Sequence, residues 1–204
     1  MSTPGASWSA LAPPWREAFE LAWRSFRGGG IGIGAVLTDP QGNVLGRGRN
    51  QRSPGSPGGR LLAHAELEAL AGLPGQKSEQ RTTLLYTTLH PCPMCLGATV
   101  VARIPQVHFG AFDPTWLGIE NMYNLNDEVR RRWPRITGPL PGPLGTWAAI
   151  LPCLNTSGSL LQAMAIADPR HARLARTAAV RLDSGRDLPA TARDALEAVW
   201  DLLT

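Results

Sequence analysis

The chain has 204 residues, a formal net charge of +4 and 43% hydrophobic residues. This hydrophobic content excludes wholesale disorder, and the length suits one domain with a sizeable buried core. Arginine supplies almost all of the positive charge, because Lys77 is the only lysine. So small a basic excess permits contact with nucleic acid without requiring it.

The N-terminus and the apolar runs predict neither a targeting segment nor a membrane span. Residues 1–15 lack a basic stretch followed by an apolar one, and no run approaches the length that crosses a bilayer. The three cysteines, two of them in a Cys-x-x-Cys, do not make a disulfide framework. We therefore expect a reducing, cytoplasmic location without membrane contact.

The first part of the chain predicts a helix, a hairpin and a second helix. Apolar residues recur at helical spacing over 15–26, ahead of three glycines. Segments 31–39 and 43–50 read as strands that flank the turn "DPQGN". The loop 51–59, rich in proline and glycine, leads to a predicted helix of about three turns over 60–73.

The middle of the chain alternates strand and helix. Strands are predicted at 82–89 and 106–113, with a helix after Pro91 between them. This order indicates a right-handed crossover between parallel neighbours. A short fifth strand is predicted near Arg135 to Thr137, followed by a loop over 138–145.

Together these elements predict an α/β fold, with a mixed central sheet of about five strands flanked by helices. The last fifty residues predict a helical C-terminal extension, with an Asp-Pro start at 168 and an amphipathic stretch at 189–203. We therefore divide the chain into a domain over 1–154, with its core at 15–139, and an extension over 155–204.

Two short motifs hold scarce metal-binding residues: "HAE" at 64–66 and "PCPMC" at 91–95. Structural zinc usually takes four protein ligands, whereas catalytic zinc takes three and leaves a position for water. His64, Cys92 and Cys95 are the candidates, and three ligands plus water is the more natural count. The remaining possibilities for a fourth ligand are Cys153, His90, His108 and His171.

The spacing of the candidates suits a site built on helix starts. Cys92 and Cys95 share one helix face, and a helix N-terminus stabilises thiolates beside a cation. His64 is expected on the first turn of another helix. Glu66 lies two positions further, about 200° round a regular helix. On a regular helix, His64 and Glu66 would therefore point in nearly opposite directions and would not reach the same metal ion. This objection weakens at a helix start, so Glu66 is a candidate for accepting the proton of a zinc-bound water.

Each motif alone has an ordinary alternative. A lone His-x-Glu is usually chance, a lone Cys-x-x-Cys is as often redox-active or structural, and Pro91 could simply start a helix. The two motifs together, in this order and each at a predicted helix start, are specific. We therefore favour catalytic zinc over structural zinc or redox chemistry.

His64-Ala65-Glu66 followed by Pro91-Cys92-Pro93-Met94-Cys95 matches the signature of zinc deaminases that act on bases. Residues 15–113 resemble the cytidine/deoxycytidylate deaminase superfamily, most of all its bacterial tRNA adenosine deaminases and its guanine or cytosine deaminases. The resemblance implies the three-layer fold of that superfamily and one zinc ion per chain. It also implies a hydrolase that replaces an exocyclic amine by a carbonyl, with Glu66 as general acid and base.

The resemblance also suggests substrate contacts. Asn50 matches an asparagine that contacts the substrate, although it could instead cap a turn at a strand end. The backbone of Ala65 would face the base. His90 stands where the tRNA adenosine and guanine branches usually have glutamate. It is either a pocket residue or a strand-end histidine.

The segment after Asp113 is unlike these branches. Trp116 could stack on a base, with Glu120 or Asn121 reading the base edge, but we slightly favour a place in the core or a dimer interface. The run "RRRWPR" at 130–135 could meet phosphates, although a solvated face is the favoured interpretation. Cys153 is expected to be a small buried hydrophobe.

The sequence leaves three candidate functions, two enzymatic and one non-enzymatic. We favour deamination of a free nucleobase, nucleoside or related aminated heterocycle, because of residue 90, the altered segment and the modest charge. The alternative is a tRNA adenosine deaminase that makes inosine. The non-enzymatic alternative is an inactive zinc-bearing scaffold subunit, against which Glu66 argues. The resemblance further implies a homodimer.

Overall fold

The computed structural model describes residues 3–52, 61–73, 82–155, 158–183 and 187–204. Most of the loop predicted after the second strand lies outside these residues. Among the described residues, no helix has the length and apolar character needed to cross a membrane.

A five-stranded sheet forms the centre of the fold, with strand order β2-β1-β3-β4-β5. β1 pairs antiparallel with β2 and with β3, whereas β3, β4 and β5 run parallel. The mixed sheet predicted from the sequence is therefore confirmed. The strands are β1 (Gly34–Thr38), β2 (Val44–Arg49), β3 (Leu84–Thr87), β4 (Gln106–Phe109) and β5 (Arg135–Thr137).

Helices surround the sheet and fill the C-terminal part of the chain. Two short 3-10 helices, Ile119–Asn124 and Leu151–Cys153, join them. The α-helices within the described residues are α1 (Pro4–Ala10), α2 (Pro13–Arg27), α3 (Ala65–Leu70), α4 (Pro93–Ala102), α5 (Asp127–Arg132), α6 (Gly142–Ile150), α7 (Ser159–Ala167), α8 (Pro169–Leu182) and α9 (Ala192–Leu203).

Several boundaries differ from the sequence prediction. The helix expected over 60–73 is only the six residues of α3. The loop expected over 138–145 stops where α6 begins at Gly142, because the following proline sits in the first turn, where its missing N–H costs nothing. α1 was not predicted, although its start carries a capping signal: the Thr3 hydroxyl accepts from the backbone N of Ala6 at 3.2 Å.

The sheet separates two helical layers. On one face, α3 and α4 pack over Ala35, Leu37, Leu85 and Val107; we call these two helices the α3/α4 layer. On the other face, α2 packs against Val36 and the ring of Trp15 meets the edge of Tyr86. The three-layer arrangement follows from the alternation of side chains along each strand.

The C-terminal helices join α1, α2 and α6 in the largest hydrophobic cluster, and we call α6 to α9 the C-terminal layer. The rings of Trp23 and Trp147 lie 6.3 Å apart inside it. Polar bonds reinforce the packing, since Trp23 Nε1 donates to the Pro189 carbonyl at 2.8 Å. The predicted helical extension is thus present, while the domain boundary at residue 154 stays a prediction.

Candidate functional site

Three potential ligand atoms converge where α3 and α4 begin. His64 Nδ1 lies 3.6 Å from Cys92 Sγ and 3.5 Å from Cys95 Sγ, and the two sulfurs are 3.6 Å apart. Over the described part of the chain, this is the one group of three such residues that could hold a metal ion. Cys153, His90, His108 and His171 do not join it.

The distances between these atoms fit zinc. Zn–S bonds of about 2.3 Å and Zn–N bonds of about 2.0–2.1 Å at tetrahedral angles place sulfur atoms about 3.8 Å apart, and sulfur about 3.6 Å from nitrogen. The observed separations of 3.5 to 3.6 Å match this geometry. With three protein ligands, the tetrahedron keeps one position for water.

His64 and Cys92 both occupy N-cap positions with extended backbone. Their φ and ψ angles are −79° and 149° for His64, and −68° and 171° for Cys92. His64 therefore precedes the first turn of α3 instead of lying on it, and α4 starts at Pro93, with Cys92 as its cap. Because His64 is not helical, the angular objection to His64 and Glu66 meeting at one site does not apply.

Two glycines of β2 let α3 approach the sheet closely. A Cβ atom on Gly48 would collide with the Ala65 carbonyl oxygen, and one on Gly46 would collide with that of Ala69. Only residues without a side chain allow this contact between backbones. The glycines thus set the position of the helix that begins beside His64.

Glu66 is an acidic side chain in direct contact with the cluster. It is 4% exposed, and its Oε2 lies 3.4 Å from Cys95 Sγ. The hydroxyl of Thr87 lies 3.0 Å from Glu66 Oε1 and 3.0 Å from the Leu89 carbonyl. Since this hydroxyl has one proton, it donates to a Glu66 carboxylate, or accepts from a protonated Glu66 while it donates to Leu89. Both protonation states of Glu66 are therefore hydrogen-bonded.

The sequence did not single out Thr87, although a signal existed. Residues two apart on a strand share one face, so Thr87 and Leu85 of β3 both face the α3/α4 layer. Asp113 is a second missed residue. It is buried, and its Oδ1 accepts from Thr115 N at 2.8 Å. Burial raises the pKa of Asp113. The nearby Cys92 raises this pKa further, whereas the nearby His64 lowers it.

The titration of the cluster follows from its hydrogen bonds. The bond from Cys95 lowers the pKa of Cys92 to about 4, and the bond to His64 acts in the same direction. The hydrogen bond between the two cysteines, together with burial, raises the pKa of Cys95. The hydrogen bond between His64 and Cys92 raises the pKa of His64. Two thiolates therefore coexist only beside a compensating cation. Burial raises the pKa of Glu66, as suits a group that carries a proton.

Asn50 is buried at the end of β2. Its Oδ1 accepts from Arg52 N at 2.9 Å, which is the turn-capping role, and its backbone N donates to the Ile33 carbonyl at 2.9 Å. Ala65 is fully buried as the first residue of α3. Contact of either residue with a substrate stays a prediction.

His90 and Trp116 lie in different environments. His90 is 4% exposed, with its ring 4.6 Å from that of Phe109. Its Nε2 lies 3.9 Å from Glu120 Oε1 and has no hydrogen-bond partner among the described residues. Trp116 is 43% exposed and so does not belong to the core. Its roles in base stacking or in a dimer interface stay predictions.

The arginines of α5 are paired with acidic residues of the same helix. Arg131 and Arg132 both form ion pairs with Glu128, and Arg130 lies 2.7 Å from Asp127. This arrangement fits the solvated face favoured by the sequence. Cys153 is fully buried, as expected, and burial raises its pKa to about 12.

The model of the cytidine and deoxycytidylate deaminase zinc-binding region matches residues 14–111. A tRNA-specific adenosine deaminase of Bacillus subtilis (strain 168) is 40% identical over 119 residues, which are 56% of this chain and 70% of that protein. This chain belongs to the cytidine and deoxycytidylate deaminase family. Its membership makes it a zinc-type deaminase that hydrolyses C–N bonds, and together with the three-atom cluster it confirms the predicted zinc cofactor.

Two further proteins show how far the similarity extends. A tRNA(Ile)-lysidine synthase of Deinococcus deserti is 34% identical over 124 residues, but these cover 60% of this chain and only 23% of that protein. A crystal structure of a protein in complex with 2,6-diaminopurine is 22% identical, with a TM-score of 0.51, and covers 73% of this chain and 84% of that one. The second likeness shows the fold.

Proposed function

We propose that the protein deaminates a free nucleobase, a nucleoside or a related aminated heterocycle, releasing ammonia and leaving a carbonyl. The observation that carries the proposal is the buried Glu66 carboxyl beside three ligand atoms arranged for tetrahedral zinc. Structural zinc takes four protein ligands, so a three-ligand cluster with an adjacent proton carrier supports hydrolysis.

His64, Cys92 and Cys95 would hold the zinc ion. When bound by three residues, zinc lowers the pKa of a water molecule at its fourth position towards neutrality. Glu66 would take the proton of this water, because its carboxylate is the buried base beside the cluster. It would pass this proton to the ring nitrogen, and would then carry the second proton of the former water oxygen to the amine, which leaves as ammonia while a carbonyl remains.

Thr87 supports both halves of this proton transfer. While Glu66 is a carboxylate, the Thr87 hydroxyl donates to it, and after protonation the hydroxyl turns towards the Leu89 carbonyl. Glu66 is therefore hydrogen-bonded in both states, which avoids the cost of about 1–3 kcal/mol for an unpaired buried polar group at this side chain. Asn50 and the backbone of Ala65 are the proposed contacts that orient the heterocycle.

The pairing of the α5 arginines supports a small substrate. Arg130 pairs with Asp127, and Arg131 and Arg132 share Glu128, so the two acidic residues offset part of the positive charge that could meet phosphates. A tRNA adenosine deaminase is the second candidate, favoured by the 40% identity to the enzyme of Bacillus subtilis.

Location and assembly complete the proposal. Zinc-binding thiolates persist in a reducing compartment, which supports the cytoplasm. A homodimer is supported by large apolar side chains that remain exposed after β4, among them Phe112, Leu117 and Leu125. Sedimentation at micromolar concentration tests the dimer.

Ammonia release tests the activity and separates the substrates. The purified protein is offered free bases, nucleosides and a tRNA anticodon stem-loop in parallel. We expect turnover of a base or nucleoside. Deamination of the stem-loop alone would replace our first candidate by the second.

A matched pair of variants tests the role of Glu66. Glu66→Gln keeps the shape of the side chain but removes the base, so we expect turnover to fall by at least about 10²-fold with zinc retained. Glu68→Gln on the same helix alters a carboxyl whose hydrogen bond goes to Gln51, and it should stay near wild type. Equal turnover in wild type and Glu66→Gln would show that Glu66 is not the catalytic base, whereas a wild type that retains zinc but deaminates none of the substrates would favour the scaffold alternative.

A further inference from the structure

His90 has a buried nitrogen that the proposed chemistry does not use. Its Nε2 atom is inaccessible and lacks a hydrogen-bond partner among the described residues, while Glu120 Oε1 lies 3.9 Å away. A buried polar atom without a partner costs about 1–3 kcal/mol, so such atoms are rare in native proteins. Glu120 is half exposed, and rotation of its side chain would bring its carboxylate within hydrogen-bonding distance.

The ring of His90 is held by its surroundings. It packs against the ring of Phe109 at 4.6 Å and is inclined by 22° to that of Phe112 at 6.1 Å, while the backbone N of His90 donates to the Ala111 carbonyl at 2.8 Å. Nδ1 lies 3.2 Å from the Pro91 carbonyl. A neutral ring carries one proton, and a carboxylate accepts it more strongly than a carbonyl. In the Nε2–H tautomer the ring therefore donates to Glu120 and gives up the weaker hydrogen bond from Nδ1 to the Pro91 carbonyl.

Glu120 belongs to residues 113–125, which we call the post-β4 segment. The segment starts at the buried Asp113 beside the cluster and is held by short turns, with Trp116 N bonded to Asp113 O at 3.2 Å and Ile119 N to Trp116 O at 3.1 Å. Ile119 is its one buried hydrophobic side chain after Asp113, whereas Leu117 and Leu125 are exposed. A segment with so few buried contacts depends strongly on each remaining anchor.

We propose that His90 is a positioning residue that anchors the post-β4 segment beside the zinc cluster through a hydrogen bond to Glu120. The bond connects the turn that leads into Cys92 with the 3-10 helix that contains Glu120. His90 thereby fixes where Trp116 and its neighbours stand relative to a bound heterocycle. Only this last consequence, for substrate binding, rests on the proposed function.

Hydrogen exchange of the zinc-loaded full chain tests the anchor directly. Glu120→Ala removes the acceptor from an exposed position that leaves folding intact. We expect the amides of Trp116, Ile119 and Asn121 to exchange about fivefold faster or more. Glu120→Gln retains an oxygen acceptor and should keep most of the protection. Asn124→Ala removes an exposed polar side chain from the same 3-10 helix and should change nothing.

His90→Phe completes the comparison, because it keeps the ring packing and removes the donor. We expect His90→Phe to exchange as fast as Glu120→Ala, and the double variant that carries both changes to exchange no faster than either single variant. Unchanged exchange in Glu120→Ala would overturn the proposal, as would equal acceleration in Asn124→Ala.

Kinetics separate positioning from general stability. On any substrate that the wild type deaminates, Glu120→Ala should raise KM severalfold while kcat and zinc content stay close to wild type. A fall in kcat at unchanged KM would contradict the proposed role. If the wild type deaminates no substrate, the proposed function fails, while the exchange experiment still decides whether the anchor exists.

Discussion

The α3/α4 layer and the C-terminal layer begin their helices with different chemistry. In the C-terminal layer, Asp168 accepts from the backbone N of Arg170 and His171 at 3.1 Å, and Thr191 accepts from Asp194 N at 3.1 Å. In the α3/α4 layer, the N-cap residues are His64 and Cys92, and neither makes a side-chain cap bond. In the C-terminal layer, α8 and α9 thus use their N-cap side chains to stabilise the helix, whereas α3 and α4 use theirs to present metal ligands.

The two layers also differ in how they pack. The C-terminal layer shares a cluster with large aromatic side chains such as Trp23 and Trp147. The α3/α4 layer packs mostly small and aliphatic residues and meets β2 through Gly46 and Gly48. Close backbone approach leaves little room for the start of α3 to shift, while the aromatic cluster buries most of the large side chains. The difference predicts that chemistry and stability can be disrupted separately.

The largest contrast should appear in the thiols. The pKa of Cys92 is lowered to about 4 and that of Cys153 is raised to about 12. At pH 7, which lies above the first value and below the second, Cys92 is a thiolate and Cys153 a thiol. After zinc is removed with a chelator, iodoacetamide should modify Cys92 at least about 100-fold faster than Cys153.

Mass spectrometry of peptides from both preparations measures these rates. Bound zinc should suppress the modification of Cys92, and urea should expose Cys153. Similar rates for the two thiols in the folded, zinc-free protein would remove this contrast between the layers.

A cavity in the C-terminal layer should lower stability without emptying the zinc site. Leu196 is fully buried in the large cluster, so Leu196→Ala should cost about 2–5 kcal/mol of unfolding free energy. Denaturant titration measures the loss, and elemental analysis should still find one zinc ion per folded chain. Val180→Ala, at an exposed position of α8, is the control and should change stability by less than about 0.5 kcal/mol. Zinc loss from folded Leu196→Ala would show that the layers are coupled.

The smallest effect concerns a single cap. Thr191→Ala removes the oxygen that accepts from Asp194 N, which should cost about 1 kcal/mol and leave deamination unchanged. Thr191→Ser keeps the oxygen and should retain stability in the same thermal melts. A wild-type melting temperature for Thr191→Ala would mean that this cap does not stabilise α9.

How far the sequence predicts each layer depends on how local the controlling interactions are. The order of helices and strands follows from periodicity, and the zinc-binding residues follow from two short motifs. Element lengths do not, because the helix predicted over 60–73 is only Ala65–Leu70, and His64 has extended backbone at its N-cap. The roles of Thr87 and Asp113 also escaped prediction, since the hydrogen bond of Thr87 to Glu66 and the place of Asp113 near Cys92 and His64 both join residues distant in sequence.

By itself, the sequence determined the chemistry of the site, because His64, Glu66, Cys92 and Cys95 have side chains suited to zinc and to proton transfer. Tertiary structure alone decided that the three ligand atoms stand at tetrahedral spacing, with Glu66 held by Thr87. It also brought His90 to Glu120 across thirty positions of the chain. The reason is physical: side-chain chemistry belongs to single residues, whereas distance and burial arise only when the sheet brings separate segments together.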